Sequence, residues 1–240
     1  MKLLRTWISP LLAFGFATIA NAAPVQYQIT ATHAAELIWN GTQSVQTFSN
    51  YLFADGTTIS ATFFYDSTTV ATSSNNVGVY DLSNYGLNSY YTGSITNFSG
   101  VVSGHTFSSA TGDTVVADSS ANSYGGDGIF HQAGLAANPA SPAYTSLQGF
   151  SIGDFTLVNI GTYVVGPNSF LSDQSLPTTL GNTSGGNTGF NLIFRDSAGN
   201  YRTAAFWGGN IAPVPLPSSV LFFISGLASL GASAYRKLKR

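Results

Sequence analysis

Apolar and polar side chains alternate along most of this chain. Val25, Tyr27, Ile29 and Ala31 interleave with Gln26, Gln28, Thr30 and Thr32, the period-two pattern of a strand with one dry and one wet face. The same style continues through ISATFFYDST at 59–68 and SITNFSGVVSGHTF at 94–107. GFSIGDFTLVNIGTYVV at 149–165 follows it with a change of register near Gly153 and Asp154, which predicts a bulge. FNLIFRDSAGNYRTAAFW at 190–207 predicts a hairpin turning over Asp196–Asn200. Clusters of Ser, Thr, Asn, Gly and Asp separate these runs. No long segment has a 3.6-residue period, and one helical turn is expected, at HAAELIW (33–39). The pattern predicts an all-β, antiparallel sandwich or jelly roll, and the lack of an internal repeat disfavours a propeller or solenoid. Residues 177–191 predict a mobile loop, and the prolines of 208–219 an extended linker.

Both ends break the alternation. Lys2 and Arg5 precede an apolar stretch from about Trp7 to Ala20, and Ala20-Asn21-Ala22 supplies small residues at the positions a signal peptidase reads. The alternative is a retained membrane helix, against which stand the short apolar core and Pro10 within it. Near the other end, Val220–Tyr235 is sixteen residues without charge. As a helix it spans ~24 Å, and flanking Ser218, Ser219 and a snorkelling Arg236 bring it to the ~30 Å of a hydrocarbon core. Arg236, Lys237, Lys239 and Arg240 then hold the tail on the cytoplasmic side. Ser225, Ser229 and Ser233 share one face, a stripe that admits a second helix or reflects mere tolerance of small residues. The expected organisation is a signal peptide at 1–22, a β-rich ectodomain at 23–207, a linker at 208–219, a transmembrane helix at 220–235 and a basic tail at 236–240.

Charge changes the list of partners. The 240 residues carry only 8% charged side chains, and six of the eight bases sit at the two ends. Between them lie Arg195, Arg202 and all ten acids, a formal −8, although the whole chain is only −2. An acidic surface repels phosphate backbones, so nucleic acid is excluded as an expected partner. The chain has no cysteine, which removes disulfides and thiol chemistry and leaves export open, since a chain this long can fold without staples.

Candidate chemistry is sparse. GFSIG at 149–153 matches G-x-S-x-G, but a nucleophilic Ser151 needs a strand-to-helix elbow, and DFTLVNIG after it reads as strand. His33, His105 and His131 lie at no metal-ligand spacing and read as surface or internally satisfied histidines. ADGTT (54–58) and DSAGN (196–200) read as turns, with a structural calcium left open. Tyr85, Tyr90 and Tyr91, set among Asn, Ser and Gly, are candidates for stacking on sugar rings if exposed, and for packing onto the sheet if not. The sequons at Asn40, Asn97 and Asn182 are read as chance in a chain rich in Asn, Ser and Thr.

A plain anchor does not call for Val214-Pro215-Leu216-Pro217 beside the membrane. This proline motif, short apolar run and basic cluster together resemble the PEP-CTERM sorting signal of Gram-negative bacteria. They resemble most its Val-Pro-Leu-Pro variant, with Ser218 where that variant usually has Ala and without the Glu of the standard Pro-Glu-Pro motif. The resemblance implies recognition by an exosortase, cleavage near the motif, and release to the cell surface or an exopolysaccharide-rich matrix. The expectation is an exported, non-enzymatic surface protein without a cofactor. A carbohydrate-binding module using the three tyrosines is the second reading, and a hydrolase using Ser151 the third.

Overall fold

A computed structural model describes residues 24–39, 44–45, 51–74, 87–118, 126–134, 146–167, 169–183 and 186–215. The signal-peptide positions Ala20 and Ala22, together with Leu216, Pro217, Ser218, the run 220–235 and the bases Arg236, Lys237, Lys239 and Arg240, lie outside them.

Twelve strands follow in order: β1 (Val25–Trp39), β2 (Ser44–Val45), β3 (Thr58–Tyr65), β4 (Ser73–Ser74), β5 (Leu87–Val102), β6 (His105–Asp118), β7 (Gly126–Gly134), β8 (Leu147–Gln148), β9 (Ser151–Ile152), β10 (Phe155–Pro167), β11 (Asn187–Arg195) and β12 (Tyr201–Pro213). Eight of them, β1, β3, β5, β6, β7, β10, β11 and β12, pair antiparallel with their neighbours in that order, and β12 returns to pair with β1. The result is a closed up-and-down barrel, which leaves no free edge around the ring. The remaining short strands lie alongside it.

All-β antiparallel architecture is as expected; the sandwich or jelly roll is not. Alternation specifies one dry face per strand, and a sandwich and a barrel satisfy it equally. Closure depends on bends that the pattern does not reveal. β1 is interrupted between Thr30 and Thr32 and between His33 and Ala35, and β5 between Tyr91 and Ile95, where Gly93 takes φ 73°. Irregularities of this kind let long strands coil around a barrel.

Several local expectations change too. Residues 33–39 are strand, because His33–Trp39 pairs with β12. The run 94–107 is two strands joined at Ser103 and Gly104, both at positive φ (49° and 80°), the two-residue hairpin turn whose twist matches its strands. Gly153 and Asp154 form a tight turn between β9 and β10 rather than a bulge. The hairpin over Asp196–Asn200 is as expected: Asp196 N–H donates to the Asn200 carbonyl at 3.0 Å, and Asn200 N–H returns to the Asp196 carboxylate at 2.8 Å. The linker boundary shifts as well, since residues 208–213 are the end of β12.

The barrel interior is full. Tyr27, Ile29, Phe63, Ile95, Ile129, Ile160, Phe190, Leu192 and Phe206 are each at most 1% exposed and belong to one cluster. Phe63 stacks on Phe98 at 5.6 Å, and the Phe107 ring occupies the space that a side chain on Gly100 would need. Outward positions on β1 and β3, such as Gln28, Thr32, Ser60 and Thr62, are polar. A lipid-facing barrel has the reverse arrangement, apolar outside and polar within. Among the described residues no helix is long and apolar enough to cross a membrane.

Candidate functional site

Strand direction gives the barrel two unlike ends. At the end where β1 starts and β12 finishes, residues 169–183 between β10 and β11 fold across the mouth. Three tyrosines of the barrel wall hold that segment by its backbone. Tyr65 Oη–H donates to the Pro177 carbonyl at 2.7 Å, Tyr91 Oη–H to the Gln174 carbonyl at 2.6 Å, and Leu180 N–H donates to Tyr27 Oη at 3.0 Å. Asp127 accepts Leu171 N–H at 2.8 Å. Leu176 and Leu180 are buried in the core. Over the described part of 177–191, the expected mobile loop is therefore a lid that closes into strand β11. Burial pushes the Tyr65 hydroxyl well above the usual phenol range and raises the Tyr91 hydroxyl too, so both remain donors.

The same geometry removes the sugar-stacking role from two of its three candidates. Tyr90 and Tyr91 are 2% and 6% exposed. Tyr90 Oη–H donates to Asp113 at 2.5 Å, on a small cluster with Val115 and Phe130. Tyr85 lies outside the described residues. A single-residue test of the lid is available in Tyr65→Phe. It leaves the half-buried Pro177 carbonyl without its donor, at a cost of about 1 kcal/mol. Hydrogen exchange should report faster opening of 174–180 while the β1 amides keep their protection.

The opposite end carries the barrel's buried ion pair. Glu36 on β1 and Arg202 on β12 both face inward, and Arg202 Nε and Nη2 lie 2.6 and 2.5 Å from Glu36 Oε2. The other carboxylate oxygen accepts Phe53 N–H at 3.1 Å and lies 3.5 Å from His33 Nε2. Phe53 closes this end, packed edge-on to Phe206 at 5.5 Å and tilted against Phe194 at 6.0 Å. Burial lowers the His33 pKa, against the opposing pull of Glu36 and Asp55. These contacts tie the 51–57 connection to the barrel, and each charge has a partner.

The remaining chemical candidates stay apart. Ser151 lies on β9 in a hairpin, and its hydroxyl pairs with Thr156 at 2.9 Å, so the strand-to-helix elbow of a hydrolase is missing. His105 stacks on Phe150 at 4.7 Å, and His131 is fully buried with Nδ1 2.9 Å from Thr114 Oγ1. Among the described residues no three His, Cys, Asp or Glu side chains gather as metal ligands would. ADGTT and DSAGN are turns, through Thr57 N–H to the Ala54 carbonyl and Gly199 N–H to the Asp196 carbonyl. Asn182 is engaged by Ile211 N–H at 3.0 Å and Thr188 at 3.2 Å, and Asn40 lies outside the described residues.

Two features escaped the sequence pattern. One is the lid, whose small polar residues look like any loop. The other is an open groove of about 530 Å³ on the outer wall, over β3, β5 and β6, with Gln148 and Gly149 at its rim. Register creates it: Gln28, Thr62, Ser99, Ser108 and Gln148 fall on one rung across five strands. Gln28 was legible as a wet position, but the alignment of the five was not.

The fold and these sites define a plugged, up-and-down antiparallel barrel with a polar outer wall. Comparison with protein-family models, with curated proteins and with solved structures finds no match.

Proposed function

We propose that this chain is an exported, non-enzymatic cell-surface or matrix protein, tethered by its C-terminal run and then cut by an exosortase near Val214–Ser218. Its setting is exopolysaccharide or biofilm matrix. The observation that carries the reading is the tripartite tail, VPLPSS followed by sixteen uncharged residues and four bases among the last five. The barrel is compatible with it. Val214 N–H donates to the Gln26 carbonyl at 2.8 Å, beside the start of β1, so the motif begins where the barrel's closing strand ends. Residues 216–219 then separate the described barrel from the apolar run and reach at most ~14 Å. A tether that short keeps the motif beside the membrane, within reach of a membrane-embedded enzyme, and the lidded end of the barrel toward it. The filled interior, and a Ser151 hydroxyl paired with Thr156 within a hairpin, are consistent with that reading.

The test is the C-terminal peptide of the mature protein, by mass spectrometry, in a wild-type strain and in one lacking its exosortase. Expected is a terminus near Pro217–Ser219 in the first and at Arg240 in the second. Arg240 in both strains would overturn the processing.

A further inference from the structure

We propose that the outer groove over β3, β5 and β6 is a docking site for a neutral polysaccharide, which runs across the strands toward Trp207. This deepens the matrix reading above and rests on it only for the source of the polymer.

The argument begins with the groove's chemistry. Ser60, Thr62, Ser99, Thr106 and Ser108 present hydroxyls from three adjacent strands around the exposed Val101 side chain, and Gln148 adds an amide. None of the residues lining it is ionisable. Hydroxyls and amides both donate and accept, which suits a ligand made of hydroxyl groups. An ionic ligand would give up hydration here without gaining a counter-charge. A wholly apolar ligand would cover Val101 but strip water from the five hydroxyls around it and leave them unpaired. A peptide adding itself as a strand needs a free sheet edge, and β3 and β5 are each paired on both sides. The volume, about 530 Å³, falls within the range of small-molecule sites.

The wall continues in the same character beyond the groove. Thr30 and Asn210 flank Ser60 on one rung, and Gln28 flanks Thr62 on the next. Thr32 pairs with Trp207 on β12, whose indole is 41% exposed while its neighbour Phe206 is fully buried. An exposed indole offers the flat apolar face that stacks on the C–H face of a sugar ring. Three strand spacings separate β12 from β5, ~14 Å, so one extended chain of several sugar units can touch both.

The experiment uses the full chain in detergent micelles and affinity electrophoresis in gels containing dextran, a cellulose derivative without charge, a galactan or alginate. Expected is retardation by at least one neutral polymer and none by alginate. The pair Thr62→Arg with Ser99→Glu, opposite charges on directly paired outward positions, should weaken that binding at least tenfold, with unfolding midpoints little changed. Trp207→Ala should weaken polymer binding several-fold while short oligosaccharides of the same sugar are unaffected. Retardation by alginate alone, by no polymer, or equally by the double variant overturns the site, and an unchanged Trp207→Ala variant overturns the track. None of these outcomes depends on whether the tail is cut, so failure here is distinct from failure of the processing reading.

Discussion

Arg202→Met should destabilise the barrel by about 3–5 kcal/mol, read as a fall in urea midpoint without loss of the folded baseline. The guanidinium meets Glu36 Oε2 from two nitrogens, and the carboxylate side chain is wholly shielded from water. Removing the cation leaves Glu36 buried with only Phe53 N–H and a neutral His33 nearby. A buried charge without its counter-ion costs far more than the pair contributes net, because both desolvation penalties were offset together. The double variant Glu36→Leu with Arg202→Met should therefore recover most of the loss. What it cannot recover is the acceptor for Phe53 N–H, about 1–3 kcal/mol if that group stays dry. The 51–57 connection should be the first part to show faster exchange in the double variant. A single Arg202→Met with near wild-type stability would mean that water reaches Glu36 and that Phe53 does not seal this end.

How far the sequence foretold this molecule depends on the range of the interactions involved. The inward set Tyr27, Ile29, Ala31 and the hairpin at Asp196–Asn200 were legible because a two-residue period and a turn need only local information. Closure was not, because it rests on β1 finding β12 across some 170 residues, a pairing that no local pattern encodes. HAAELIW reads as helical because Ala, Glu and Leu favour helix, yet cross-strand pairing with Tyr201–Phe206 overrides that preference. The tyrosines show a different limit. An Asn- and Ser-rich setting suggests exposure, but Tyr90 and Tyr91 stand next to each other on a strand and so face opposite ways, one onto a satellite cluster and one onto the lid. Both directions happen to be covered. The Glu36–Arg202 pair was not legible for a similar reason, since 166 positions separate the two in sequence and a hydrogen bond joins them in space.

Acid should unfold the barrel in a way traceable to His131. Its imidazole is fully buried, beside Phe63 at 5.3 Å and Tyr65 at 5.9 Å, and burial pushes its pKa down to about 3 from 6.5. Its one hydrogen-bond partner is the Thr114 hydroxyl, and Nε2 has no acceptor among the described residues. A proton added there would bring a charge into the core with no carboxylate among the described residues to offset it. The sign follows from proton binding. Between pH 6.5 and about 3 the unfolded chain holds a proton on this residue and the folded chain does not. Stability is thus fully present above pH 6.5 and falls with acidification, by roughly 1.4 kcal/mol per pH unit for this group. His33 shifts in the same direction and adds to the slope. His131→Phe keeps a ring among aromatic neighbours and leaves Thr114 its contact with Ser94 at 2.5 Å. Urea midpoints between pH 6 and 4 should then decline less steeply, by about that amount per unit, while carboxylate contributions stay common to both proteins. Equal slopes in the two would mean that the His131 imidazole is protonated without penalty, which its burial forbids as long as the lidded barrel stays closed.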